Sequence, residues 1–130
     1  MRGKCAKFII TDIPRMVQLP DHYRPSAFWV SPDIFPEVKI GIAGSDVSKR
    51  VGVEITNLHS HEYPEIYLAI SPNRGDMLFE ITLGDEIYTV ESPMTVFIPA
   101  GMKHKFRVLK ADNERSYFLG ILLYYASQNV

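Results

Sequence analysis

The chain has a single cysteine, Cys5, in 130 residues. One cysteine excludes an intrachain disulfide framework and a multi-cysteine zinc knuckle. Any metal would therefore have nitrogen and oxygen ligands. Long apolar runs are lacking too. The longest, from Tyr117 to Ala126, is far short of a membrane span. After Arg2 and Lys4 the apolar stretch Phe8-Ile9-Ile10 stops at Thr11-Asp12, too short for the core of a signal peptide. The expected location is the cytoplasm, where a lone thiol fits the reducing conditions. Neither charge dominates: Lys+Arg number 14 and Asp+Glu 15. That balance favours neither a nucleic-acid partner nor an anionic membrane surface. No segment carries the sustained apolar period of an amphipathic helix, and there is no internal repeat or low-complexity tract.

What is present is an ordinary globular composition, 46% hydrophobic and 22% charged, in a length that makes one domain with its own core. Five prolines, Pro14, Pro20, Pro25, Pro32 and Pro36, punctuate the first third and work against long helices there. Residues 1–36 therefore read as a proline-rich N-terminal arm packing on the rest, with short strands around 6–10 and 27–30. From Val38 the texture changes to β-branched and aromatic runs separated by Gly, Pro, Asn and Asp. Strands are expected at 38–42, 51–56, 65–70, 77–83, 86–90, 95–98, 104–109 and 116–125. Short strands at this spacing predict an all-β sandwich or barrel over residues 37–130.

The chemistry concentrates in the histidines. His59 and His61 stand two apart on what reads as a strand, so both imidazoles face one way. Glu65 shares their parity, with Pro64 marking a kink between. Glu62, the rival carboxylate, points the other way. His104 follows the turn Pro99-Ala100-Gly101 at the start of another run. If the two strands are neighbours, three imidazoles and one carboxylate converge, a donor set that suits one divalent first-row metal such as Fe, Mn, Ni, Zn or Cu. The fourth histidine, His22 in Pro20-Asp21-His22-Tyr23, reads as an exposed loop side chain.

These residues resemble the two motifs of the cupin superfamily. His59-Ser60-His61 followed by Glu65 is similar to the metal-binding heart of its first motif, and Pro99-Ala100-Gly101-Met102-Lys103-His104 to its second. The resemblance implies a cupin-type β-barrel, a double-stranded β-helix or jelly roll, with His59, His61, Glu65 and His104 as metal ligands. The family's flanking glycines are displaced here. Gly52 and Gly75 fall out of step with the first motif, and Pro93 and Val108 stand where the second has Gly and Asn.

Parity also turns Asn57, Tyr67, Phe106 and Val108 toward the expected pocket, where Phe106 and Val108 are either plain core or cavity wall and Tyr67 either brings a hydroxyl near the metal or simply packs. Lys103, Lys105 and Arg107 fall on the opposite, solvated face. Ile66, Leu68 and Ile70 are apolar on the face away from Glu65, which predicts a cover, either the N-terminal arm or a second copy in a homodimer. The function expected is that of a mononuclear metal-dependent enzyme on a small organic molecule. Its chemistry would be oxygenase-type on an enol, diol or diketone, or metal-assisted isomerisation with Glu65 or Glu62 serving as acid or base. The alternative is a non-catalytic metal- or small-molecule-binding cupin, a sensor or accessory protein.

Overall fold

The alternation of large apolar and polar side chains sets up nine strands. The structure is a computed structural model that describes residues 3–126; residues 1–2 and 127–130, at the two ends of the expected arm and barrel, lie outside the described residues. After a short 3₁₀ turn at Ala6–Phe8 come β1 (Arg15–Val17), β2 (Ser26–Val30), β3 (Gly41–Asp46), β4 (Glu65–Ile70) and β5 (Met77–Leu83). Then follow β6 (Glu86–Glu91), β7 (Met94–Ile98), β8 (His104–Ala111) and β9 (Tyr117–Leu122), with a last 3₁₀ turn at Tyr124–Ala126. One sheet has the order β1-β2-β3-β9-β4-β7 and the other β6-β5-β8, with every pairing antiparallel. The fold is all-β, as the sequence predicts.

The core lies between the sheets. Tyr67 and Ala69 of β4, Ile98 of β7 and Phe118 of β9 meet Met77, Phe79 and Ile81 of β5 and Val108 of β8. The alternation along β4 decides which way each side chain goes: Glu65, Tyr67 and Ala69 are buried, while Ile66 and Leu68 are half-buried on the other face and Ile70 is exposed. β4 is flanked on both sides, by β9 and β7, so Glu65 sits opposite Leu122 and Ile98 in the register. The inner strands fix its height in the barrel.

Four expected strands differ. Of residues 6–10, Ala6–Phe8 form the 3₁₀ turn instead, because the N–H groups of Ala6 and Phe8 donate to the carbonyls of Gly3 and Cys5. The run expected at 38–42 starts late, at Gly41, since the Val38 N–H is already spent on Phe35 in a turn. Residues 51–56 alternate like a strand, yet Gly52 takes φ +75° and its N–H goes to Val108. That left-handed turn breaks the extension, and only Thr56 pairs, in a single bridge with His22. His59 and His61 lie outside any strand as well. In the proline-rich first third, β1 and β2 extend one edge of the six-stranded sheet.

Candidate metal centre

His104 opens β8 and is 1% exposed. Its neighbour in space is His59, which is held in one isolated antiparallel bridge rather than a strand. The His104 N–H donates to the His59 carbonyl at 2.8 Å, and the His59 N–H donates back at 3.3 Å. The Gly101 N–H donates to the His61 carbonyl at 2.8 Å. Gly101 makes this approach with φ +83°, a left-handed conformation that glycine adopts at no steric cost. Backbone bonds thus clip the turn before His104 onto the segment carrying His59 and His61. The shared direction of the two imidazoles, expected from strand parity, comes from these clips.

Each of the three rings is then aimed by the same device. The Nδ1–H of His59 donates to the Asn57 carbonyl at 2.7 Å, that of His61 to Tyr63 at 2.7 Å, and that of His104 to Met102 at 2.8 Å. A carbonyl can only accept, so Nδ1 carries a proton in each ring and Nε2 faces inward, where its lone pair meets a metal once any proton there is lost. One ligand atom from each histidine lies within 4.8 Å of the others, a spacing that can hold one ion. Backbone acceptors behind ligating imidazoles are the usual means of fixing tautomer and ring orientation in metal sites.

Glu65 borders this trio. Its Oε1 lies 3.0 Å from His61 Nε2 and 3.1 Å from His104 Nε2. Burial pushes the Glu65 carboxyl up, but the bonds from His104 and His61 outweigh it and hold it below its ordinary value. Burial lowers His61, yet Glu65 and the Tyr63 carbonyl prevail and raise it above 6.5. His59 has no such carboxylate bond, and burial holds it below 6.5. The backbone opposite leaves room for the carboxylate: a Cβ at Gly120 on β9 would come 2.6 Å from Glu65 Oε2.

His59, His61 and Glu65 line a cavity of about 280 Å³ between the sheets. Tyr67 and Phe106 line it too. The Tyr67 ring stands edge-on to His104, centroids 6.0 Å apart, and burial pushes its hydroxyl well above 10. The other two residues turned toward the pocket by parity stand elsewhere. Val108 is fully buried core, and neither it nor Asn57 is on the cavity wall. Asn57 is exposed, accepts from the Tyr23 hydroxyl and supports His59 through its carbonyl. Glu62 is exposed. Lys105 and Arg107 are half-buried and face Glu54, each at 3.9 Å.

Two residues were illegible by parity. Tyr63 stacks flat on His61, ring centroids 4.2 Å apart. Its only sequence signal was its place between the two acids. His22 is half-buried and lines the cavity, its ring 5.4 Å from His59. It carries the same tether as the trio, Nδ1 to the Pro20 carbonyl at 2.9 Å. The reading of His22 as an exposed loop side chain is thereby corrected: the Thr56 bridge draws the loop against the cavity.

No family model and no curated protein matches the chain. Solved structures do. A cupin-like protein from Thermotoga maritima superposes with a TM-score of 0.57 at 15% identity, covering 89% of this chain and 81% of its own. A cupin 2 domain-containing protein from Halorhodospira halophila gives 0.54 at 18% identity, covering 85% and 77%. A cupin protein from Bacteroides fragilis gives 0.52 at 16%, covering 93% and 92%. The fold is that of the cupins. At these identities the likeness carries the fold alone. No helix among the described residues is long and apolar enough to cross a membrane.

Proposed function

We propose that this cupin barrel is a mononuclear metal-dependent enzyme acting on a small organic molecule. The observation that carries the reading is the threefold tether: three imidazoles, each with Nδ1 engaged by a backbone carbonyl and a ligand atom within 4.8 Å of the others, two of them on a cavity wall. Three neutral nitrogens suit a divalent first-row ion, and Glu65 adds an oxygen beside His61 and His104. In this reading His59, His61, His104 and Glu65 are the ligands. A metal held there supplies Lewis acidity toward a substrate oxygen, for oxygenase-type chemistry on an enol, diol or diketone or for isomerisation.

The chain's own residues do the rest. Tyr67 and Phe106 wall off water on the side of the core. Tyr63 holds the plane of His61 by stacking. The Tyr67 hydroxyl, which burial pushes well above 10, serves as a hydrogen-bond donor to bound substrate. Metal analysis of the purified protein tests the reading, with His104→Ala and Glu65→Ala alongside. A wild type that stays empty after incubation with iron, manganese, nickel, copper and zinc ends it. Oxygen uptake with diketones, catechols and flavonols then separates an oxygenase from an isomerase or a binder.

We propose further that a second copy covers the outer face of the six-stranded sheet. Ile42, Ile121, Ile66 and Phe97 form one continuous cross-strand row there, and Phe97 is 59% exposed. Ile70 and Tyr117 extend it as a second exposed apolar pair. A self-complementary patch of this kind suits a twofold dimer.

A further inference from the structure

We propose that the cavity takes a small organic anion, a carboxylate with an apolar body, and that Arg50 holds its charged end. The inference rests on the reading of this cavity as the substrate chamber, but on different residues from the metal centre. Five side chains with full charges line the cavity: Asp21, Arg24, Arg50, Glu54 and Glu65. Two of the carboxylates are engaged. Glu54 faces Lys105 and Arg107, and Glu65 is bonded to His61 and His104. Neither Arg24 nor Arg50 has a side-chain hydrogen bond or ion pair with any described residue. The remaining charges are therefore two arginines against Asp21, and a divalent ion on the histidines would add to the positive side.

The two arginines are not equivalent. Arg24 is exposed and keeps its water, whereas Arg50 is half-buried. A guanidinium on a cavity wall without an internal partner is free to take the charge of a ligand. Its backbone is nonetheless fixed: the Arg50 N–H donates to Val47 at 2.9 Å and its carbonyl accepts from Val53 at 3.1 Å. Such a planar fork of donors, unpaired on the cavity wall, matches a carboxylate in bidentate fashion. The rest of the wall is largely apolar, with Tyr67, Phe106 and Phe118 prominent, so it suits a hydrocarbon or aromatic body. A phosphate dianion would want a second buried cation, and Arg24 is out in solvent.

Calorimetry on the full chain tests this, with the metal removed so that the anion cannot bind through the metal. The probes are phenylacetate and its neutral counterpart phenylacetamide. Phenylacetate is expected to bind at least about tenfold tighter, the size of one charge-assisted pair. Arg50→Gln should erase the preference, and Arg50→Lys keep part of it. Equal binding of the two probes, no binding of either, or a preference that survives Arg50→Gln overturns the proposal. Inorganic phosphate that displaces phenylacetate at equal concentration overturns the carboxylate assignment. Should Arg50→Gln melt early, the wild-type probe pair and Arg50→Lys still decide. A wild type that takes up no metal but keeps the phenylacetate preference sinks the metal reading and leaves this one standing.

Discussion

His59 and His104, forty-five positions apart in the chain, each donate a backbone N–H to the other's carbonyl. Their rings stand 4.5 Å apart between centroids as a result. The reciprocal bond belongs to the main chain, so it survives truncation of either side chain. His104→Ala should therefore fold with the same pairing and lose the metal. Metal at about a hundred times its dissociation constant stabilises the wild type by about 2.7 kcal/mol. That increment should vanish in His104→Ala, while the two proteins should melt closer together once chelator is added. Melting curves with and without metal check it. An undiminished metal-induced shift in the variant would remove His104 from the ligand set.

Gly120 faces Glu65 across the inner side of the sheet, where an added methyl would press on the carboxylate at 2.6 Å. Gly120→Ala should displace Glu65 from His61 and His104 without deleting any ligand. Disturbing the support of a ligand costs about 10–100-fold in metal affinity, and a loss in that range is expected from competition titration with a chelator of known affinity. Unchanged affinity would mean that Glu65 does not hold the metal.

Much of the site was legible because its signals are local. The turn chemistry of Pro99-Ala100-Gly101 fixed where His104 begins a strand, and alternation in 65–70 put Glu65 and Tyr67 on the inner face. The strand at 51–56 failed for a reason no alternation pattern carries. Gly52 is committed by a hydrogen bond to Val108, a residue that arrives fifty-six positions later. His22 failed in the same way. Its own neighbours describe an exposed loop, and only the bridge to Thr56 brings it to the cavity wall. Tertiary pairing, which is invisible to a window of a few residues, decided both.

Metal uptake should depend on pH through His61. Glu65 and the Tyr63 carbonyl raise it above 6.5, whereas burial holds His59 below. A ligand must lose its proton to bind, so affinity should climb as pH rises through the folded value of His61 and flatten beyond it. Zinc titrations at pH 6, 7 and 8 should show this rise, with proton release that fades at the upper end. In Glu65→Gln the carboxylate no longer raises His61, and the climb should move to lower pH. An affinity independent of pH across this range would contradict the His61–Glu65 pairing as the centre's titrating element.

The outer face of the six-stranded sheet is apolar. Ile66 sits between Ile121 and Phe97 in the register of the central strands, so the apolar row cannot be turned inward without turning Glu65 and Tyr67 outward. A one-residue slip is thus forbidden by the inward placement of Glu65 and Tyr67. The exposed row must be tolerated or covered, and a second copy covers it at no cost to the register. The wild type should run at twice the monomer mass in light scattering at micromolar concentration. Phe97→Lys places a charge in the middle of a self-complementary patch, where it meets apolar surface from the partner. It should yield monomers whose metal-induced melting shift per chain is retained, because Phe97 points away from Glu65's side of the sheet. A monomeric wild type would overturn the dimer.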